Sequence, residues 1–144
     1  MHLADLNEVM AIEEKVYSHP WSRGNFIDAV NSDYDSWTVR SVAGELLAYF
    51  VQMVVVDECH LLTIAVKPSV QRQGLGHYLL SFIVERAQRI QMKSLVLEVR
   101  MSNQQALTVY ESFGFIQLGR RKNYYPLNQH QREDALILAY EIPE

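Results

Sequence analysis

A single cysteine, Cys59, stands in the 144 residues, so no intramolecular disulfide can form. A reducing, cytoplasmic setting is therefore the expectation. No apolar run is long enough to cross a bilayer. The longest, Leu46 to Val56, is interrupted by Gln52, and a spanning helix needs about 20 residues. The N-terminal segment carries acids and lacks the basic start of a secretory signal. Positive charge is in deficit, with a formal net charge of −4. This argues against a nucleic-acid partner, since neutralising phosphates takes clustered lysine and arginine. The chain also lacks repeats, low-complexity tracts and any linker-like stretch. One domain over residues 1–144, acting as a monomer with no membrane or nucleic-acid partner, is the expected organisation. The composition, 49% hydrophobic and 21% charged, is that of an ordinary globular chain, long enough to bury a core.

The charge that is present is unevenly spread. Residues 1–66 hold ten acids against three lysines and arginines, a net of −7; residues 67–144 hold seven against ten, a net of +3. A basic half suits an anionic ligand and an acidic half a cationic one; both can equally be solvated faces.

Hydrophobic rhythm predicts a helix over 5–18, with Asp5 as N-cap and Glu8 completing a capping box. Glu13 falls off its apolar pattern, and His19-Pro20 closes it. Ser22 caps a second helix reaching about Val30. Strand-like stretches follow near 36–43, 46–56 and 60–66, with turns at Ala43-Gly44 and Asp57-Glu58. Lys67-Pro68 stops the third strand. A helix is predicted from Gly74 to about Gln91, with Leu75, Leu79, Phe82, Ile83, Ala87 and Ile90 on one face. A short strand from Leu95 to Val99, a helix over 103–113 with Gly114 at its C-cap, and strands near 115–122 and 135–142 complete the order. The sum is an α/β (α+β) fold: one mixed, mostly antiparallel sheet flanked by helices.

The segment Gln71-Arg72-Gln73-Gly74-Leu75-Gly76 lies between an apolar strand and an amphipathic helix. Glycines let a backbone approach a ligand closely, and a helix start offers unpaired N–H groups and a positive dipole end. Together they make a seat for a pyrophosphate. The glycine spacing differs from a dinucleotide fingerprint, and the Gly-Lys-Ser/Thr end of a P-loop is missing. A glycine-softened helix start is the plain alternative. His60 and His77 are not spaced as a metal site, so no metal is expected, and Cys59 has no basic activator beside it.

Gln71 to Gly76 resembles the pyrophosphate-binding motif of the Gcn5-related N-acetyltransferase superfamily, and the order of elements fits that superfamily throughout. His19-Pro20-Trp21-Ser22, Leu97 to Arg100 with Ser102-Asn103, Leu107 to Phe115, Asn123 to Pro126 and Arg132 to Ala135 resemble the ribosomal-protein-alanine N-acetyltransferases. The resemblance covers roughly residues 5–142. Members begin with a full strand before the first helix; here only Met1 to Leu3 precede Asp5, so the first strand is expected to be truncated.

What the resemblance implies is transfer of an acetyl group from acetyl-coenzyme A, used as co-substrate, to the α-amine of a protein N-terminus, that of a ribosomal protein. An α-amine, with a pKa of about 8, is partly neutral at pH 7, whereas lysine at about 10.4 is not. A modest base is enough. Glu98 is the candidate: a lone carboxylate in an apolar strand is costly without a reason. An outward-facing residue paired with lysine or arginine is the alternative. Tyr110 is the candidate acid for the departing thiolate, or else a packing residue beside Val109 and Phe113. Ile64, Ala65 and Val66 would hold the pantetheine arm, with the Val66 N–H facing the thioester oxygen. Arg72, Gln73, Gly74, Leu75, Gly76 and His77 would hold the pyrophosphate. Asn103 would touch the cofactor and cap a helix. Trp21, Tyr124 and Tyr125 would wall the peptide slot, or simply pack. Glu133 and Asp134 could attract a basic peptide or begin a strand. Lysine side chains or polyamines as acceptors, and a non-catalytic acyl-coenzyme A sensor, are the competing functions.

Overall fold

A computed structural model describes residues 1–144. Four helices form: α1 (Leu6–Val16), α2 (Arg23–Asn31), α3 (Leu75–Arg89) and α4 (Gln104–Phe113). Six strands form: β1 (Asp35–Arg40), β2 (Leu46–Val55), β3 (Glu58–Val66), β4 (Ser94–Arg100), β5 (Ile116–Pro126) and β6 (Arg132–Glu141). They make one six-stranded sheet in the order β1-β2-β3-β4-β6-β5, and β1/β2, β4/β6 and β5/β6 pair antiparallel. None of the helices is long and apolar enough to cross a membrane. The chain divides into two compact units, residues 1–54 with 61–79 and residues 55–60 with 80–144.

In the first unit, Leu6, Val9 and Ile12 of α1 and Phe26 and Ala29 of α2 join Leu46, Tyr49, Val51 and Ala65 in one buried cluster. No strand precedes α1. Residues Leu3–Asp5 form a single 3-10 turn, and the Met1 ammonium donates to the Ser36 carbonyl of β1 (2.9 Å). The expected Asp5/Glu8 capping box does not form. Asp5 is already helical in backbone and makes no cap bond to α1. Its carboxylate accepts from the His2 N–H (2.7 Å) and from Arg40 (2.7 Å), while Glu8 goes to Arg40 and to the Leu46 N–H. A long-range arginine outbids the local cap. Helix α1 also stops before His19-Pro20, because Tyr17 is extended and its hydroxyl donates to the Ile64 carbonyl. Ser22 caps α2 as expected, accepting from the Asn25 N–H (3.1 Å).

In the second unit, β6 lies between β4 and β5, with Leu97 opposite Leu138 and Arg121 opposite Ala135. Leu80, Ile83, Val84 and Ala87 of α3 are buried, as are Leu95, Leu97 and Val99 of β4. Ile90, placed by periodicity on the buried face, lies beyond the end of α3 and is exposed. Gly114 closes α4 with φ +123, and a Cβ there would meet the Tyr140 ring at 3.1 Å, so both backbone and space require glycine. The hairpin turn before β3 falls at Val56-Asp57, one residue earlier than expected, and puts Val56 at φ +57. Strands β5 and β6 run longer than their apolar cores suggest, because polar residues continue the ladder to Pro126 and Arg132.

Candidate active site

In the first unit the pyrophosphate-type loop joins β3 to α3. Along β3 buried and half-buried residues alternate, so Ala65 points into the core while Ile64 and Val66 face the other way. The Val66 carbonyl accepts from the Gln71 side-chain amide (3.0 Å), which ties the loop back onto the strand end. Arg72 (φ +63) and Gly74 (φ +85) take left-handed conformations, the kind of backbone found in anion-binding turns. A Cβ on Gly74 would meet nothing within 4 Å, and one on Gly76 only Val66 Cγ2 at 3.9 Å. Internal packing therefore does not demand either glycine, and the space they leave open suits a close-lying phosphate group. Arg72, Gln73 and His77 are exposed around it.

Trp21 precedes the cap of α2. Its ring lies edge-on to Phe26 (5.1 Å between centroids), and its N–H donates to Glu13 Oε2 (2.9 Å). Packing explains the inner edge of this half-buried ring.

In the second unit, Glu98 is on β4 opposite Ile137. It is not the lone carboxylate its apolar neighbours suggest: its side chain is 30% exposed and pairs with Arg121 Nε at 3.2 Å. The same guanidinium stands 5.4 Å from the Tyr124 ring centroid, and Tyr124 lies edge-on to Tyr125 (5.0 Å). The structure thus gathers Glu98, Tyr124 and Tyr125 around Arg121. Burial, reinforced by the negative charge of Glu98, pushes the Tyr125 hydroxyl up to about 12, so at neutral pH it is a hydrogen-bond donor. Tyr110 lies on the buried face of α4, three residues on from Leu107, edge-on to Phe115 (5.4 Å). Val109 beside it is exposed rather than core. Asn103 caps α4, accepting from the Ala106 N–H (3.2 Å).

The frame that holds Tyr124 and Tyr125 is built from contacts with β4 and β6. Between Arg121 and Tyr125 the β5/β6 register shifts, and Asn123 there has φ +51. Asp134 accepts from the Asn123 N–H (2.9 Å) and pairs with Arg120 (3.2 Å). Arg132 donates to the carbonyls of Asn123 and Tyr124, both at 2.7 Å. Arg100 stacks on the Tyr125 ring at 4.4 Å, donates to the Pro126 carbonyl (3.0 Å) and pairs with Glu133 (2.9 Å). Burial raises the Glu133 carboxyl, but bonds from Arg100 and Ser102 outweigh it and hold the group below the usual carboxylate range. Glu133 and Asp134 are therefore both engaged by arginines within the fold, Glu133 by Arg100 and Asp134 by Arg120. The only signal in the sequence was the density of arginines and acids in this stretch, which a solvated strand also shows.

A sequence profile of the acetyltransferase (GNAT) family matches residues 6–115. The chain belongs to this family. It is 37% identical over 142 residues to the [ribosomal protein bS18]-alanine N-acetyltransferase of Escherichia coli K12, covering 99% of this chain and 95% of that one. It is 34% identical over 135 residues to the enzyme of the same name from Haemophilus ducreyi, covering 94% and 92%. The crystal structure of the ribosomal-protein-S18-alanine N-acetyltransferase from Escherichia coli superposes with a TM-score of 0.88 over 100% of this chain and 92% of that one. This GNAT chain is accordingly an acetyl-coenzyme A-dependent N-acetyltransferase.

Proposed function

We propose that the chain acetylates the α-amine of an N-terminal alanine on a small-subunit ribosomal protein. The observation that carries this reading is the 37% identity, over 99% of the chain, with an enzyme named for that reaction. Acetyl-coenzyme A supplies the acyl thioester, and the open loop at Gly74 and Gly76 with the exposed Arg72 fits its phosphates. Arg72 to His77 hold that end, Ile64 to Val66 hold the arm, and Asn103 adds a contact.

The acceptor nitrogen forms a bond to the acyl carbon as the carbon–sulfur bond breaks. Glu98 accepts the proton the amine loses, the Val66 N–H stabilises the oxygen that gains charge, and Tyr110 gives its proton to the leaving thiolate. Trp21, Tyr124 and Tyr125 wall the slot for the peptide. Arg121 occupies the carboxylate that an incoming amine would face. An ion pair this exposed is worth about 1 kcal/mol or less, so the acceptor displaces it at little cost. We place the reaction in the cytoplasm, carried out by a monomer.

The test is incubation with acetyl-coenzyme A and a short basic peptide beginning with alanine, followed by thiol release and peptide mass. One acetyl group at the N-terminus is the expected product. Faster reaction on an N-terminally blocked peptide containing lysine would overturn the proposal.

A further inference from the structure

Glu13 is 2% exposed, on the buried face of α1 among Leu6, Val9 and Ile12. Burying a carboxylate is costly unless its oxygens are satisfied, and an apolar side chain of similar size fills such a place without that cost. The charge therefore calls for a reason beyond filling space. Its hydrogen bonds supply one. Oε1 accepts from the Tyr49 hydroxyl of β2 (2.6 Å) and from the Thr63 hydroxyl of β3 (3.1 Å). Oε2 accepts from the backbone N–H of Trp21 (2.9 Å). Three separate segments meet on one side chain.

The arrangement closes on itself through aromatic contacts. Trp21 lies edge-on to Phe26 at 5.1 Å, Phe26 edge-on to Tyr49 at 5.9 Å, and Tyr49 returns to Glu13. Burial and the charge of Glu13 both raise the Tyr49 hydroxyl, so it keeps its proton and stays a donor. From the C-terminal end of the same helix, Tyr17 donates to the Ile64 carbonyl, next along β3 from Thr63. The end of α1 thus grips β3 at two successive residues while holding the segment that carries Trp21.

We propose that Glu13 is a positioning residue for the acceptor: its carboxylate fixes the Trp21 segment against β2 and β3, and so sets the wall of the peptide slot relative to the strand end at Ile64 to Val66. This rests on the reading of Trp21 as part of that slot.

Steady-state kinetics of Glu13→Gln test it, because a neutral amide cannot accept from all three: either its NH2 group faces the Trp21 N–H, or it turns onto the Tyr49 and Thr63 hydroxyls, which must then reverse and accept. The KM for the alanine-starting peptide is expected to rise about tenfold, with acetyl-coenzyme A affinity by calorimetry unchanged within about twofold. The chain has two tryptophans, so a Trp37→Phe background leaves Trp21 as the sole tryptophan; its selectively excited emission is expected to shift red and become easier to quench. A lower melting temperature with peptide KM and Trp21 emission unchanged would reduce Glu13 to a packing residue and overturn the inference. Trp21→Ala separates the two layers. If it leaves KM unchanged, the reading of Trp21 fails. If it raises KM while Glu13→Gln does not, the role of Glu13 alone fails. Should Glu13→Gln not fold, Glu13→Asp carries the same measurements, since it keeps the charge but is one methylene too short to hold both sides; unchanged KM and emission there overturn the inference equally.

Discussion

Arg100 ties the Tyr125 segment to β4, standing over its ring, donating to the Pro126 carbonyl and pairing with Glu133. With side chains only 16% and 9% exposed, the Arg100–Glu133 pair is a nearly buried one. Removing one partner of such a pair strands the other charge and costs about 3–5 kcal/mol. Arg100→Leu should lower stability by that order in denaturant titration, and should raise the peptide KM because Tyr125 loses the cation beneath its ring. Acid should act on the same contact. The Glu133 carboxyl lies below its ordinary value of 4.5. The stability it contributes is therefore complete above that value and drains away as pH falls through the lower folded-state value. Thermal melts below about pH 4.5 should fall more steeply for the native chain than for Glu133→Gln. Among the groups proposed to react, Tyr110→Phe should lower turnover and leave acetyl-coenzyme A affinity nearly intact; lost affinity with unchanged turnover would count against its role as the acid.

The loop between β3 and α3 offers a contrast between two glycines of one element. Gly74 has φ +85, whereas Gly76 is the second residue of α3 with only an ordinary contact at its Cβ position. Gly76→Ala should therefore be tolerated by the fold or stabilise the helix by up to about 1 kcal/mol, while its methyl crowds the proposed phosphate seat and weakens acetyl-coenzyme A binding. Gly74→Ala should cost about 1–2 kcal/mol in backbone strain and weaken acetyl-coenzyme A binding. Calorimetry of both variants checks this. Most elements were legible because their periodicity matches what the core needs: α2 with its Ser22 cap, α4 with Asn103 and Gly114, and the pairing-length strands. The misses share a cause. Asp5, Tyr17 and the polar ends of β5 and β6 are decided by partners far along the chain, namely Arg40, Ile64 and the ladder with its Asp134 and Arg132 bonds. No window of neighbours contains that information.

Across the whole molecule, the uneven charge and the solitary thiol give two readouts. With −7 on residues 1–66 and +3 on residues 67–144, attraction of a basic peptide should be screened by salt, and kcat/KM should fall several-fold between about 0.05 and 0.5 M ionic strength. Cys59 is fully buried and free of disulfides, so a thiol reagent should titrate it only as the fold opens. Prompt labelling of the native protein would contradict that burial.

By itself the sequence determined the class of fold, because that depends on local pattern, chiefly apolar periodicity; glycine at a strand–helix junction and residue type at the resembling motifs nominated the pyrophosphate-type loop and the proposed proton carriers Glu98 and Tyr110. The tertiary structure alone decided that Glu98 shares Arg121, that Glu133 and Asp134 are spent inside the β5/β6 frame, and that the off-pattern Glu13 is a buried junction. The physical reason is that an ionisable side chain takes its role from the charges and donors folded against it, and those come from distant parts of the chain.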